Sequence, residues 1–136
     1  MNKKLELELI EKVKIDHSYL DKIKDQTEEI CLATVKQDGY ALYYVKNQTE
    51  KICLAAIKQN IKSIWFADIK RRNIALLILK VYVKFNDKNK KYILTDILRN
   101  FNEDKKIIDF YTKHKLWKYV NFNELSDNFR MYGMAI

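Results

Sequence analysis

An all-α fold built from short helical repeats is what this sequence predicts, and three observations carry the prediction. The 136 residues include no proline and only two glycines, whereas strand-rich folds need many tight turns that draw on both. A block of fifteen residues returns 22 positions later with ten identities. Elsewhere the apolar residues fall three and four apart, as on one face of a helix. With 48% hydrophobic and 32% charged residues, the chain has globular composition and enough length to bury a core, so we expect a single domain over 1–136.

The recurring block organises the first half. Lys24 to Asp38 (KDQTEEICLATVKQD) returns as Lys46 to Asn60 (KNQTEKICLAAIKQN). Shifting back by the same step sets Leu9, Ile10, Val13, Leu20 and Ile23 under Cys31, Leu32, Val35, Leu42 and Val45. A degenerate first copy is therefore expected. Shifting forward sets Ile74, Ala75, Leu76 and Leu79 under Ile52, Cys53, Leu54 and Ile57, the first half of a fourth copy. The repeat region then spans 2–79, and a divergent helical region spans 80–136.

Within a unit, Thr27 and Thr49 precede acidic residues and an apolar run. Their hydroxyls suit the cap of a helix whose positive end the acids favour. Cys31, Leu32 and Val35 share one face, so Leu32, Val35, Leu54 and Ile57 are predicted to form a continuous core. Gly39 stands where a left-handed residue would close the helix, and a second short helix is predicted from Tyr40 to about Lys46. The next copy has Ile61 in place of Gly39, so either Asn60 takes the left-handed position or the helix runs on. Helices this short persist only by stacking on neighbouring units.

The block resembles a family of short helical tandem repeats described as a domain of unknown function, whose units read approximately K-N-Q-T-x-E-I-C-L-A-A-V-K-Q-N-G before an aromatic-rich stretch. The resemblance is close over 24–67 and looser over 2–79. It implies a scaffold or interaction role and brings no catalytic residues.

In the second half, Asn73 to about Lys84 is predicted helical by continuation of the repeat. Val81 to Phe85 also alternates, so a small β-hairpin near 81–94, paired with Tyr92 to Leu94, is the alternative. Ile93, Ile97 and Phe101 mark a helix over 92–101. Asn102 is read as the cap of the next helix, which carries Ile107, Ile108 and Tyr111 and closes on Lys113, His114 and Lys115. A last short helix is predicted from Asn123 to Met131, with Leu125 and Phe129 inward and Gly133 at its end.

Charge and motif searches limit the function. No apolar run reaches the length of a membrane span, and the opening residues carry two lysines and then alternate with glutamates instead of entering an apolar stretch. We expect a cytoplasmic protein that does not engage membranes. Cys31 and Cys53 sit in apolar runs and read as reduced core residues. His17 and His114 lack metal-ligand spacing, and no phosphate loop or nucleophile elbow occurs. Asp96, Glu103, Asp104 and Lys105 are the nearest thing to a nuclease-like set, but acids beside a helix start are ordinary. No catalytic residue, cofactor or metal is expected, and the chain reads as a binding protein instead of an enzyme.

Two features stand out as candidate sites. Tyr43 and Tyr44 recur as Trp65 and Phe66 one unit later, which is either packing between units or a ladder of anchors for a protein partner. Positive charge is also uneven: residues 1–68 hold 11 lysines and 11 acids, whereas 69–136 hold 15 lysines or arginines and 7 acids. The basic set Lys70, Arg71, Arg72, Lys88, Lys90, Lys91, Lys105, Lys106, Lys113, Lys115 and Lys118 is interleaved with Tyr82, Tyr92, Tyr111, Trp117 and Tyr119. That mixture suits single-stranded nucleic acid or a ribonucleoprotein. Recognition of a protein partner is the first expectation and nucleic-acid or ribonucleoprotein binding the second, with inhibition of a nucleic-acid-handling complex combining the two.

Overall fold

A computed structural model describes residues 1–85 and 89–125, and every regular element among them is helical. The chain divides into two compact units, Met1–Asp68 and Ile69–Ile136. That border is also where its charge composition changes.

In the first unit, α1 (Lys3–Ile15), α2 (Glu28–Gln37) and α3 (Glu50–Gln59) pack in sequence, α1 on α2 and α2 on α3. Between and after them lie 3₁₀ helices at His17–Lys22, Gly39–Tyr44 and Ile61–Phe66, which form a second row. The 3₁₀ starts are 22 residues apart, as are those of α2 and α3. Thr27 caps α2 and Thr49 caps α3, each hydroxyl accepting from the amide three residues on at 3.3 Å. The caps follow from residue type, since each hydroxyl satisfies an amide that has no helical partner.

The expected left-handed helix ends do not occur. Asp16, Asp38 and Asn60 each close an α-helix in extended conformation, with φ of −136°, −139° and −151°. The side chain of each then caps the following 3₁₀ helix through the amides of Ser18, Tyr40 and Lys62. One Asp or Asn thus stops one helix and starts the next, and a left-handed residue is not needed. Gly39 is required for another reason: a Cβ there would lie 2.4 Å from Ser63 Oγ and 2.5 Å from the Ala56 carbonyl oxygen. The predicted second helix is correspondingly a six-residue 3₁₀ helix ending at Tyr44.

The core faces are also rotated from the predicted ones. Ile30, Cys31, Thr34 and Val35 of α2 and Ile52, Cys53, Ala56 and Ile57 of α3 are buried. Leu32 and Leu54 are only half-buried. In the preceding copy Val13, Leu20 and Ile23 are buried, and Leu9 and Ile10 half-buried.

In the second unit, α4 (Arg72–Tyr82) and α5 (Lys90–Asn100) cover the two ends of the 81–94 span for which a hairpin was the alternative. The hairpin loses because Ile74, Ile78 and Tyr82, with Ala75 and Leu79, line one helical face and are at most 2% exposed. The alternation from Val81 is too short to match that burial. α6 (Lys105–Lys113) is capped by Asp104, not Asn102. A turn bond from the Asp104 amide to the Phe101 carbonyl sets the Asp104 carboxylate to accept from Ile107 N at 3.2 Å.

Closure of α6 on basic residues agrees with the sequence reading, and Lys115 takes the left-handed conformation there at φ 53°. Short 3₁₀ helices follow at Leu116–Tyr119 and Phe122–Glu124. Leu125 is buried, and the rest of the predicted 123–131 helix lies outside the described residues. No helix among the described residues is long and apolar enough to cross a membrane.

Candidate functional site

The site with most recognition character is built by the 3₁₀ row of the first unit. A six-residue 3₁₀ helix turns faster than an α-helix, so successive side chains point in different directions. In Gly39–Tyr44 this buries Ala41 and Leu42 while Tyr40 and Tyr43 project outward. In Ile61–Phe66 it buries Ser63 and Ile64 and leaves Trp65 outside.

The recurring aromatic pair therefore splits by position. Tyr43 is 68% and Trp65 45% exposed, whereas Tyr44 and Phe66 are half-buried. Tyr40, 41% exposed, joins them. Phe66 meets the Tyr40 and Tyr43 rings nearly edge-on at 5.7 Å, and Tyr43 meets Tyr44 at 5.2 Å. Edge-to-face contact is the arrangement that ring quadrupoles favour. Together with Asp38 these four residues line an open hollow of about 410 Å³. Asp38 is oriented by His17, whose Nδ1 lies 3.1 Å from its Oδ2.

Beneath this surface is a device that sequence reasoning missed. The Gln26 carboxamide donates to the carbonyls of Leu20 and Tyr44, at 2.7 and 2.9 Å, and accepts from Lys46 N at 2.9 Å. Twenty-two residues on, Gln48 repeats the pattern with Leu42, Phe66 and Asp68 N. Each glutamine joins two successive 3₁₀ helices and satisfies backbone groups at the end of the later one. The Cys31 and Cys53 thiols lie 3.9 and 3.5 Å from the same carboxamide oxygens. The available signal was glutamine before the capping threonine in both copies.

The predicted basic residues of the second unit take different roles. Arg72 pairs with Asp104, donating from Nη2 at 3.2 Å, and this pair holds the Asp104 carboxyl below the usual carboxylate range. Lys90 is buried, donates to the Phe85 carbonyl at 3.1 Å and lies over the Tyr119 ring. Lys91 lies over Tyr92 and Lys118 over Tyr119 while staying exposed. Lys70, Arg71, Lys105, Lys106, Lys113 and Lys115 are exposed, and Lys88 lies outside the described residues. Of the interleaved rings, Tyr82, Tyr111 and Trp117 are buried, with Tyr111 Oη donating to the Leu94 carbonyl.

Both cysteines are buried and outside any disulfide, and burial, aided by Glu28, pushes the Cys31 thiol up to about 11. Such a thiol holds almost no thiolate at neutral pH. Among the described residues no group of three or more His, Cys, Asp or Glu is placed to hold a metal ion. Asp96 is occupied by Arg99 and Asp104 by Arg72.

No curated protein and no solved structure matches the chain. Residues 27–72, which carry the capping threonines, the Gln48 bridge and the aromatic hollow, match the model of a family described as a domain of unknown function (DUF4116).

Proposed function

We propose that this chain is a non-catalytic binding protein that recognises a protein partner through the aromatic face of its first unit. The observation that carries the reading is the exposure of Tyr40, Tyr43 and Trp65 beside the half-buried Phe66, on a row of helices stapled by Gln26 and Gln48. Exposed aromatic rings on a preformed scaffold lose little entropy on binding and concentrate affinity. A cytoplasmic adaptor or inhibitor would use such a face.

The test compares the wild-type chain with a Tyr43→Ala, Trp65→Ala double variant in affinity capture, with recovered protein and nucleic acid both identified. Loss of a specific protein from the variant, with circular dichroism and melting unchanged, is the expected result. Equal recovery by both chains would sink the proposal.

A second reading has its own support in the exposed Lys91–Tyr92 pair and in exposed Lys118 over the half-buried Tyr119, where a cation lies about 5 Å from a ring centroid. Bases stack on such rings while lysines meet phosphates. Under this reading the second unit binds single-stranded nucleic acid or a ribonucleoprotein. Charge reversal at Lys70, Arg71 and Lys91 then abolishes binding to single-stranded RNA, and wild-type affinity falls steeply with salt. Absence of binding even at low salt removes this reading.

A further inference from the structure

The first unit carries a second surface that shares no lining residue with the aromatic hollow. Leu32 and Leu54 recur at the same position of α2 and α3 and were expected in the core, yet both are left half-buried. With Ala55 they floor a groove of about 440 Å³. Lys36 and Lys58 stand one helical turn beyond the two leucines, on the same face, and also line the groove.

Charge and surface type define what fits. Lys36 and Lys58 are exposed and make no ion pair among the described residues, whereas Lys51, also lining the groove, is paired with Glu28 of the neighbouring helix. An aliphatic floor is thus bordered by two unneutralised ammonium groups, within a unit whose formal charges balance as a whole. No aromatic ring lines this groove. It therefore lacks the stacking platform that single-stranded nucleic acid uses, while aliphatic floor and cationic border together match an apolar side chain flanked by carboxylates.

We propose that the groove between α2 and α3 docks an acidic segment of a partner protein, with an aliphatic or aromatic anchor on Leu32 and Leu54 and carboxylates facing Lys36 and Lys58. The same spacing continues upstream as Ile10 and Lys14 on α1. There Lys14 is already paired with Glu11 at 2.7 Å, so the docking site centres on the two later helices. This proposal is independent of the aromatic face.

A displayed random-peptide library, panned in parallel on the full chain and on a Lys36→Glu, Lys58→Glu variant, tests it. The expected result is a class of peptides rich in Asp and Glu around an apolar residue, whose binding to the variant falls at least about tenfold. Methyl shifts of Leu32, Leu54 and Ala55 on adding such a peptide should locate it in the groove. Both side chains are exposed, so the variant should keep its helical signal; if it does not, Lys36→Gln with Lys58→Gln replaces it. The proposal is overturned if no peptide class depends on the two lysines, or if the dependent class lacks acids or an apolar anchor. It is also overturned if labelled oligouridylate binds the wild type and loses binding in the same variant, which would assign the lysines to phosphates.

Discussion

Gln48 donates from Nε2 to the carbonyl of Phe66 at 2.8 Å, and this one bond ties the segment that enters α3 to the residue that forms the base of the aromatic hollow. Gln48 is only 8% exposed. Its bonds to Leu42 and Asp68 share that dry environment. Gln48→Ala removes three hydrogen bonds, to the Leu42 and Phe66 carbonyls and from the Asp68 amide, and is predicted to cost about 2 to 4 kcal/mol in urea unfolding. Gln48→Glu should be at least as damaging at neutral pH, because it turns a carboxylate toward the two carbonyls. A loss below about 0.5 kcal/mol, the size of an ordinary surface change, would refute the bridging role.

Gly39 and Ser63 form a second testable contact. A methyl group at Gly39 meets Ser63 Oγ and the Ala56 carbonyl, so Gly39→Ala should destabilise by about 1 to 3 kcal/mol through overpacking. Ser63→Ala should have the opposite sign. Its hydroxyl is buried without a hydrogen-bond partner, and Ala41 occupies the equivalent position one unit earlier. A gain of roughly 1 kcal/mol in thermal or urea unfolding is expected.

Ile52 and Leu54 separate the core face of α3 from its groove face. Ile52→Ala, at a site 2% exposed, should cost about 2 to 5 kcal/mol. The periodic pattern read alone assigns that same loss to Leu54→Ala. With Leu54 half-buried, a cost of about 1 to 2 kcal/mol is expected instead, because less apolar surface is removed from the interior. Chemical denaturation of the two variants decides between the assignments.

Stability should fall at both ends of the pH scale, for opposite reasons. The Asp104 carboxyl is lowered by Arg72, so its contribution is present above the unfolded carboxylate pKa and is lost as pH falls through the lower folded value. The Cys31 thiol is raised by burial from 9.0 to about 11, so its contribution is full below 9 and is lost progressively as pH climbs toward 11. Tyr111, raised by its own burial, acts in the same direction. Melting temperature followed against pH should therefore decline on the alkaline side, and Cys31→Ala should flatten that decline between about pH 9 and 11. Unchanged curvature in the variant would contradict the burial argument.

Truncating Tyr43 should barely affect folding, since its ring is mostly in water. Tyr43→Ala is expected to lower stability by less than about 1 kcal/mol, chiefly through lost ring contacts with Tyr44 and Phe66. Phe66→Ala, at the half-buried position, should cost more. Equal losses measured by calorimetry would mean that the two rings are equally packed.

How much was legible in the sequence depends on the range of the interaction. Scarce glycine and absent proline pointed to helices, and Thr27 and Thr49 marked helix starts because a cap is decided by a hydroxyl and amides within three residues. Other features required neighbours 17 to 24 residues away in the chain. Thr34 is buried by the packing of the repeat where a polar residue reads as surface, and its hydroxyl is satisfied within the helix by donating to Ile30 O at 2.7 Å. Leu32 and Leu54 read as core, yet packing of α2 against α3 rotates their face outward. Gly39 read as a backbone need, yet the approach of Ser63 and Ala56 is what leaves no room for a side chain. Tyr43 and Tyr44 are adjacent and chemically alike, so no local pattern separates them. Only the close row of 3₁₀ helices decided which ring faces solvent, because burial there depends on where the next helix lies.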